Sequence, residues 1–392
     1  MTKKLRWGIV STARIGIRAV IPAIQQSRNG VAVAIASRDA RVAQEAAKGS
    51  NVPRAFGSYE AMLESPDVDA VYIPLPNNLH KEWTIRAAQH GKHVLCEKPF
   101  ALNAAEVDEM IAAAKQHRVL LMEAFMYRFH PQYAKLQSLI ADGAIGKVQI
   151  IRSAFGFHLE DLRNIRLQKV LGGGALMDVG CYCVNMSRLV AGAEPIEVQA
   201  SAVFGEKSQV DETLAGILRF PNDVVAVFDT GFRADYREWL SVAGSAGRLD
   251  LPLPIKPGAI GGIGEIILQR DDGARETFTT PAANHYQLMV EHFADAVLDG
   301  STLRYPPEEG RANMRVIDAL YESVRTGCTV RVNPRVPTSS HAQRTSWELA
   351  VSWSRDETST ERIGNVLGAA QGGGRPKDGG VAGARCGCGA QR

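Results

Sequence analysis

The alternation of segment types in the first third of the chain limits its fold more than any other feature. Short β-prone apolar runs recur at Arg6–Val10, Val31–Ala36, Ala70–Ile73, His93–Cys96 and Val119–Met122. Between them lie Ala-rich, charged segments at Asp39–Lys48, Asn78–His90 and Asn103–His117. The runs are apolar almost throughout, as strands buried on both faces must be, whereas half-exposed strands alternate. Such strands separated by amphipathic helices predict an α/β doubly wound parallel sheet. Asp39 and Asn103 stand where helix N-caps are needed.

After Tyr127 the pattern changes. Strand-like runs follow one another at Val148–Phe157, Ile196–Phe204, Thr213–Phe220, Val224–Thr230 and Ile266–Gln269, with helical segments at Leu176–Ala191, His285–Leu298 and Glu308–Arg325. This predicts a second domain of α+β type over 126–335, with an open, mostly antiparallel sheet and helices on one side. From Val336 to Arg392 the chain is glycine-rich, includes Gly372–Gly374 and has no sustained hydrophobic period. It reads as a disordered extension. Cys386 and Cys388 lack the spacing of a zinc site, and no metal is expected.

A length of 392 residues suits two domains, and 45% hydrophobic with 22% charged residues is ordinary for a folded chain. The net charge of +3 comes from 45 basic and 42 acidic residues, which gives no clustered basic face for nucleic acid. No apolar run is long enough for a membrane helix, and the one after the basic N-terminus is too short for a signal peptide. Six scattered cysteines suit a reducing compartment, so a cytoplasmic protein acting on a small molecule is expected.

The first strand runs into Ser11-Thr12-Ala13-Arg14-Ile15-Gly16 and then a helix. A dinucleotide-binding Rossmann domain, here residues 1–125, needs a tight turn at this point so that helix amides can hold a pyrophosphate. Ser11 and Ala13 replace the first two glycines of the usual Gly-x-Gly-x-x-Gly; Gly16 remains, where helix and strand pack closely. The second strand ends in Ser37-Arg38 rather than Asp or Glu. A guanidinium suits a 2′-phosphate, which a carboxylate would repel, so NADP is expected over NAD. The structural alternative is a solvated Arg38 opening the next helix.

Cys96-Glu97-Lys98-Pro99 follows the strand at His93–Cys96, where doubly wound sheets open their crevice. A lysine there can steady a developing alkoxide, and Pro99 can hold the turn in one geometry, with a cis bond as one option. Farther on, Gly172–Tyr182 puts a glycine-rich loop before a helix bearing Asp178 and Tyr182, whose spacing of four places both on one face. A phenol needs a nearby cation to become a base at neutral pH, and Lys98 would supply it. Each residue has a structural alternative on its own: a surface lysine, a helix-dipole carboxylate, a core aromatic.

Taken together, Tyr72–His80, Glu97-Lys98-Pro99 and Gly172–Tyr182 resemble the Gfo/Idh/MocA oxidoreductases over about Lys4 to Asn333. The similarity is strongest to the branch with NADP-dependent D-xylose dehydrogenases and dimeric dihydrodiol dehydrogenases, which carry Tyr at the position of Tyr182. The resemblance implies hydride transfer between NADP and a sugar or polyol hydroxyl. A trans-dihydrodiol or 1,5-anhydrofructose is an alternative substrate, and a non-catalytic NADP(H) sensor a remoter reading. By the same resemblance Lys98 polarises the substrate oxygen, Tyr182 exchanges the proton and Asp178 supports them. Pro76, Asn77, His80 and Glu97 belong to the cofactor crevice, with Asn77 and His80 lining its nicotinamide side. Ser37 and Arg38 take the 2′-phosphate. Arg128 and Arg166 match further family positions in the pocket, although salt bridges account for them equally well. A homodimer or higher oligomer, paired through the open sheet, is also implied.

Overall fold

The computed structural model describes residues 3–258 and 261–332. The first sheet holds β1 (Leu5–Val10), β2 (Gly30–Ala36), β3 (Arg54–Phe56), β4 (Ala70–Ile73), β5 (His93–Cys96) and β6 (Leu121–Glu123). Their order is β3-β2-β1-β4-β5-β6 and every pairing is parallel. All four residues of β4 are buried, as strands covered on both faces require. The helices between are α1 (Ile21–Gln26), α2 (Ala40–Gly49), α3 (Tyr59–Leu63), α4 (His80–Gln89) and α5 (Ala104–Gln116). Asp39 and Asn103 cap α2 and α5 as expected, each side chain accepting from backbone amides of the first turn. Strand order reverses between β1 and β4, so the crevice at their carboxyl ends is the place for a ligand.

A nine-stranded sheet forms the second layer system. Its strands are β7 (Val148–Gly156), β8 (Glu197–Phe204), β9 (Asp211–Arg219), β10 (Val225–Gly231), β11 (Arg237–Gly244), β12 (Gly247–Leu251), β13 (Gly264–Arg270), β14 (Arg275–Thr280) and β15 (Val330–Arg331). They run in the order β14-β13-β12-β11-β7-β10-β9-β8-β15. All neighbours are antiparallel except β7 and β10. Along β9, Leu214, Gly216 and Leu218 are buried while Ala215, Ile217 and Arg219 face out, so one face is core and the other open. The covered face packs on α6 (Pro131–Ala141), α7 (Cys181–Ala191) and α9 (Pro307–Thr326).

Three differences from the sequence reading concern the site. The helix expected over Leu176–Ala191 begins with a π-helical turn, Leu176–Gly180, before α7. The helix after β1 likewise opens with a π-helical turn, Gly16–Val20. α6 was not foreseen; Pro131 at its first turn fits helix initiation, a position where its missing N–H costs nothing. The short β3 and β15, and the polar-interrupted β11, β12 and β14, also lacked a readable period. The extension from Val336 onwards, with Cys386 and Cys388, lies outside the described residues.

The late helix α8 (His285–Asp299) returns to the first sheet and packs on α1, while α9 packs on α5. Phe293 of α8 is fully buried and lies 5.4 Å from the ring of Trp7 in β1. The two sheets are therefore stabilised jointly. Phe293→Ala is expected to cost about 3–5 kcal/mol, read as a lowered denaturant midpoint with both sheets lost in one transition.

Candidate active site

The loops at the carboxyl ends of β1, β4 and β5 meet the π-helical turn before α7. Ser11 Oγ donates to the Pro74 carbonyl at 3.4 Å, joining the first two loops. Asn77 Nδ2 donates to the Gly172 carbonyl at 2.8 Å, joining the β4 loop to the glycine-rich segment. Lys98 completes the crevice. Its Nζ donates to the Asp178 carbonyl oxygen at 2.7 Å and to Asp178 Oδ1 at 3.3 Å.

Asp178 is shared. Arg166 Nε donates to its Oδ2 at 2.6 Å. The side chains of Lys98 and Asp178 are only 13% and 14% exposed, so the pair is largely shielded from water, whereas Arg166 at 38% sits at the rim. Burial would raise the Asp178 carboxyl, but the charges of Lys98 and Arg166 outweigh it and hold it at about 2. For Lys98, burial works against the ammonium, and the charges of Asp178, Cys181 and Glu97 together outweigh it, so the amine stays protonated.

The glycines before Asp178 are required by packing. Gly174 takes φ 130°, and a Cβ there would stand 2.2 Å from Asp211 Oδ1. Asp211 Oδ2 accepts from the Leu176 amide at 2.7 Å and so anchors the first turn. A Cβ on Gly173 would lie 2.5 Å from the Arg166 carbonyl oxygen, which accepts from the Gly174 amide at 2.9 Å.

Lys98 and Tyr182 meet directly, with the Lys98 ammonium 5.0 Å from the Tyr182 ring centroid. Tyr182 is buried edge-on against Phe125 and Phe155, at 5.2 and 5.5 Å, and its hydroxyl points to Met126 Sδ at 3.5 Å. The expectation that Lys98 lowers this phenol is corrected here. The ammonium lies over the ring while bonded to Asp178, and burial pushes the phenol well above its ordinary range.

Four other expected residues take structural positions. His80 is fully buried, and its ring nitrogens are within hydrogen-bond distance of the Pro99 and Leu75 carbonyls, both at 2.9 Å, so it has no free nitrogen for a nicotinamide. It braces the turn holding Lys98, whose bond to Pro99 is cis. Glu97 accepts from the Tyr72 hydroxyl at 2.6 Å and from the Lys98 amide at 3.3 Å, fixing the same turn. The Asn77 side-chain amide is committed to Gly172. Arg128 is buried over the Tyr305 ring at 3.5 Å and bridges Glu309 at 3.5 Å, within an ion network that includes Arg188; it is not a pocket cation. Arg166 is the arginine that joins the site.

At the β1 turn, Ser11 adopts φ 122°, the backbone geometry for which glycine is usual, so the tight turn survives its substitution. Thr12, Ala13, Arg14 and Ile15 follow it into a helical turn whose first amides have no intrahelical acceptor. The close-packing role expected of Gly16 is weaker than its motif suggests, since a Cβ would find ordinary contacts no nearer than 3.4 Å. At the end of β2 the Ser37 hydroxyl accepts from the Asp39 amide at 3.3 Å, and Arg38 is exposed. Pro76 leads the β4 loop into the short helical turn Asn77–Leu79.

Residues 5–125 match the model of an oxidoreductase family with an NAD-binding Rossmann fold, and residues 133–250 match the Gfo/Idh/MocA C-terminal domain. The chain belongs to the Gfo/Idh/MocA oxidoreductase family. It is similar to a D-xylose 1-dehydrogenase (NADP(+)) of Haloferax volcanii, 40% identical over 332 residues, covering 84% of this chain and 100% of that one. A trans-1,2-dihydrobenzene-1,2-diol dehydrogenase of Xenopus laevis is 37% identical over 252 residues, covering 63% of this chain and 75% of that one. Among solved structures, a 3-ketoreductase of Actinomadura kijaniata in complex with NADP and TDP-benzene superposes with a TM-score of 0.78 at 31% identity, covering 82% of this chain and 98% of that one. This Gfo/Idh/MocA oxidoreductase thus keeps its Glu-Lys-Pro turn and its Asp178–Tyr182 helix against one another in space.

Residues of the site that sequence reading missed are Phe125, Met126 and Phe155 on the Tyr182 wall, Tyr72 behind Glu97, and Asp211. Phe155 lies within a recognised strand run, Val148–Phe157, where a facing argument applies. Asp211 gives no local signal, because its partners Leu176 and Tyr321 lie 35 and 110 residues away.

The folded-state value of Asp178 lies below its unfolded one, so the ion cluster stabilises the protein above about pH 4 and loses that contribution as pH falls towards 2. Its size is on the order of 2 kcal/mol. Acid titration of wild type against Asp178→Asn is expected to show this loss of stability between those limits in the wild type alone.

Proposed function

We propose that this chain is an NADP-dependent dehydrogenase that interconverts a CH–OH group and a carbonyl on a sugar or polyol, a D-xylose-type aldose first. The observation carrying the reading is the convergence of Lys98, Asp178, Arg166 and Tyr182 at the carboxyl edge of the Rossmann sheet. The NADP-dependent Haloferax relative, which this chain matches along its full length, supports the substrate class.

The residues present fit NADP. At the end of β2 the chain presents Ser37 and Arg38, and the carboxylate that follows, Asp39, turns its Oδ1 to the Arg41 and Val42 amides at 2.8 and 3.1 Å as the cap of α2. Exposed Arg38, which leans on the Tyr59 hydroxyl, and Ser37 would take the 2′-phosphate. Ser11 to Gly16 would hold the pyrophosphate. Pro76, Asn77 and Glu97 would shape the crevice floor, the last two through their bonds to Gly172 and Lys98.

NADP, when bound, supplies hydride acceptance or donation. The protein's own part is charge and proton handling. Lys98, kept protonated by Asp178, stabilises negative charge on the substrate oxygen. Asp178 and Arg166 hold Lys98 in place. Tyr182, whose proton burial retains, gives it to a carbonyl oxygen in reduction; oxidation is the reverse and starts from the deprotonated phenol.

Homo-oligomers paired through the open face of the large sheet belong to this reading, supported by exposed Ile217, Val227 and Trp239 on that face. So does a reducing, cytoplasmic setting, supported by the free thiols Cys96, Cys181, Cys183 and Cys328. Among the described residues no helix is long and apolar enough to cross a membrane. A second reading, trans-dihydrodiol oxidation, is supported by the Xenopus relative and by the aromatic wall of Phe125, Tyr127 and Phe155.

Tyr182→Phe is expected to lower turnover of D-xylose about 10²- to 10⁴-fold while NADPH binding, followed by cofactor fluorescence, is unchanged. Equal turnover by the variant would remove Tyr182 from proton transfer. Arg38→Glu is expected to invert the cofactor preference towards NAD, measured as the ratio of kcat/KM for the two cofactors; an unaltered ratio would overturn the 2′-phosphate assignment.

A further inference from the structure

Resting on the dehydrogenase reading above, we propose that Lys256 binds the end of the substrate remote from the reacting carbon, and selects a polyhydroxylated sugar over a hydrocarbon diol. Lys256 lies in the segment between β12 and β13. Its ammonium is 5.6 Å from the Phe155 ring centroid, Phe155 is 5.5 Å from Tyr182, and Lys98 is 5.0 Å from Tyr182. Two ammonium groups thus flank one aromatic pair, Lys98 against Tyr182 and Lys256 against Phe155. A ring lying along this aromatic pair would meet Lys98 with its reacting oxygen and Lys256 with its far oxygens.

Lys256 is presented there by a buried carboxylate. Glu238 is 5% exposed and accepts from the Lys256 backbone amide at 3.1 Å and from the Tyr236 hydroxyl at 2.7 Å. Glu238 therefore fixes the chain at Lys256. Among the described residues no carboxylate stands within salt-bridge distance of the ammonium itself. The ammonium is partly desolvated, and it feels Glu238 first and then the Lys98, Asp178 and Arg166 charges of the site. Three donors on a partly dry, positioned ammonium call for oxygen acceptors. A sugar offers hydroxyls there; a dihydrodiol presents only hydrocarbon, next to which the ammonium would be left without partners.

The test uses full-length wild type, Lys256→Met and Lys256→Arg, with D-xylose and trans-cyclohexane-1,2-diol, a six-membered ring that keeps two adjacent hydroxyls and lacks the remote ones. Lys256→Met is expected to raise KM for D-xylose about 10- to 100-fold with kcat little changed, to leave the diol unaffected, and to be partly restored in Lys256→Arg. An equal loss on both compounds, or no loss on D-xylose, would overturn the assignment. Calorimetric titration of D-xylose into the NADPH-saturated proteins gives an answer independent of turnover: binding unweakened by Lys256→Met refutes the role of Lys256. Absence of turnover in wild type with that binding difference intact would instead refute the dehydrogenase reading.

Discussion

Asp178 is held between two cations, and the depth at which it is held makes the pairing obligatory. A carboxylate removed from water without compensation costs several kcal/mol, and the same holds for the Lys98 ammonium. Each group is therefore tolerated only because the other is in place. Arg166 supplies the second cation and brings with it the loop ahead of Gly173. One buried charge cluster thereby fixes three segments: the turn after β5, the π-helical turn before α7, and the loop carrying Arg166. The arrangement stabilises the site at the expense of designability, since an ion cluster of this kind fails when any one partner is lost.

The supporting shell serves the same end. His80, Glu97 and Tyr72 act on the turn rather than on a ligand, so that Lys98 leaves a rigid base. Asp211 fixes the other side by capping Leu176. Both helices that open onto the crevice begin with a π-helical turn. Such turns shift the side chains that follow relative to an even α-helix and recur at functional sites. Here the one before α7 leaves the Asp178 side chain on Lys98 and still lets Tyr182 meet the Lys98 ammonium with its ring.

The alternation of buried strands and capped helices made the first sheet legible, down to the limits of β4 and β5 and the caps at Asp39 and Asn103. Elements without a period were not legible: β3 has three residues, and β11 carries Arg237, Glu238 and Ser241 among its apolar positions. The core of the site was legible because Lys98, Asp178 and Tyr182 lie in glycine- and proline-marked turns with a family resemblance. The same cues misread His80 and Arg128. Both are polar residues in motif-like stretches, yet each turns to other segments, His80 to the Leu75 and Pro99 carbonyls and Arg128 to Glu309 and the Tyr305 ring.

Local sequence determined what each segment is, since periodicity, caps and glycine positions act over a turn or a strand. It also determined which residue types were on offer for the chemistry. Only the tertiary structure decided protonation and partnership. Whether Tyr182 holds its proton and whether Arg166 or Arg128 faces Asp178 both depend on burial and on charges brought together from distant segments. Desolvation and Coulomb forces fall off over a few ångströms in space and take no account of separation along the chain.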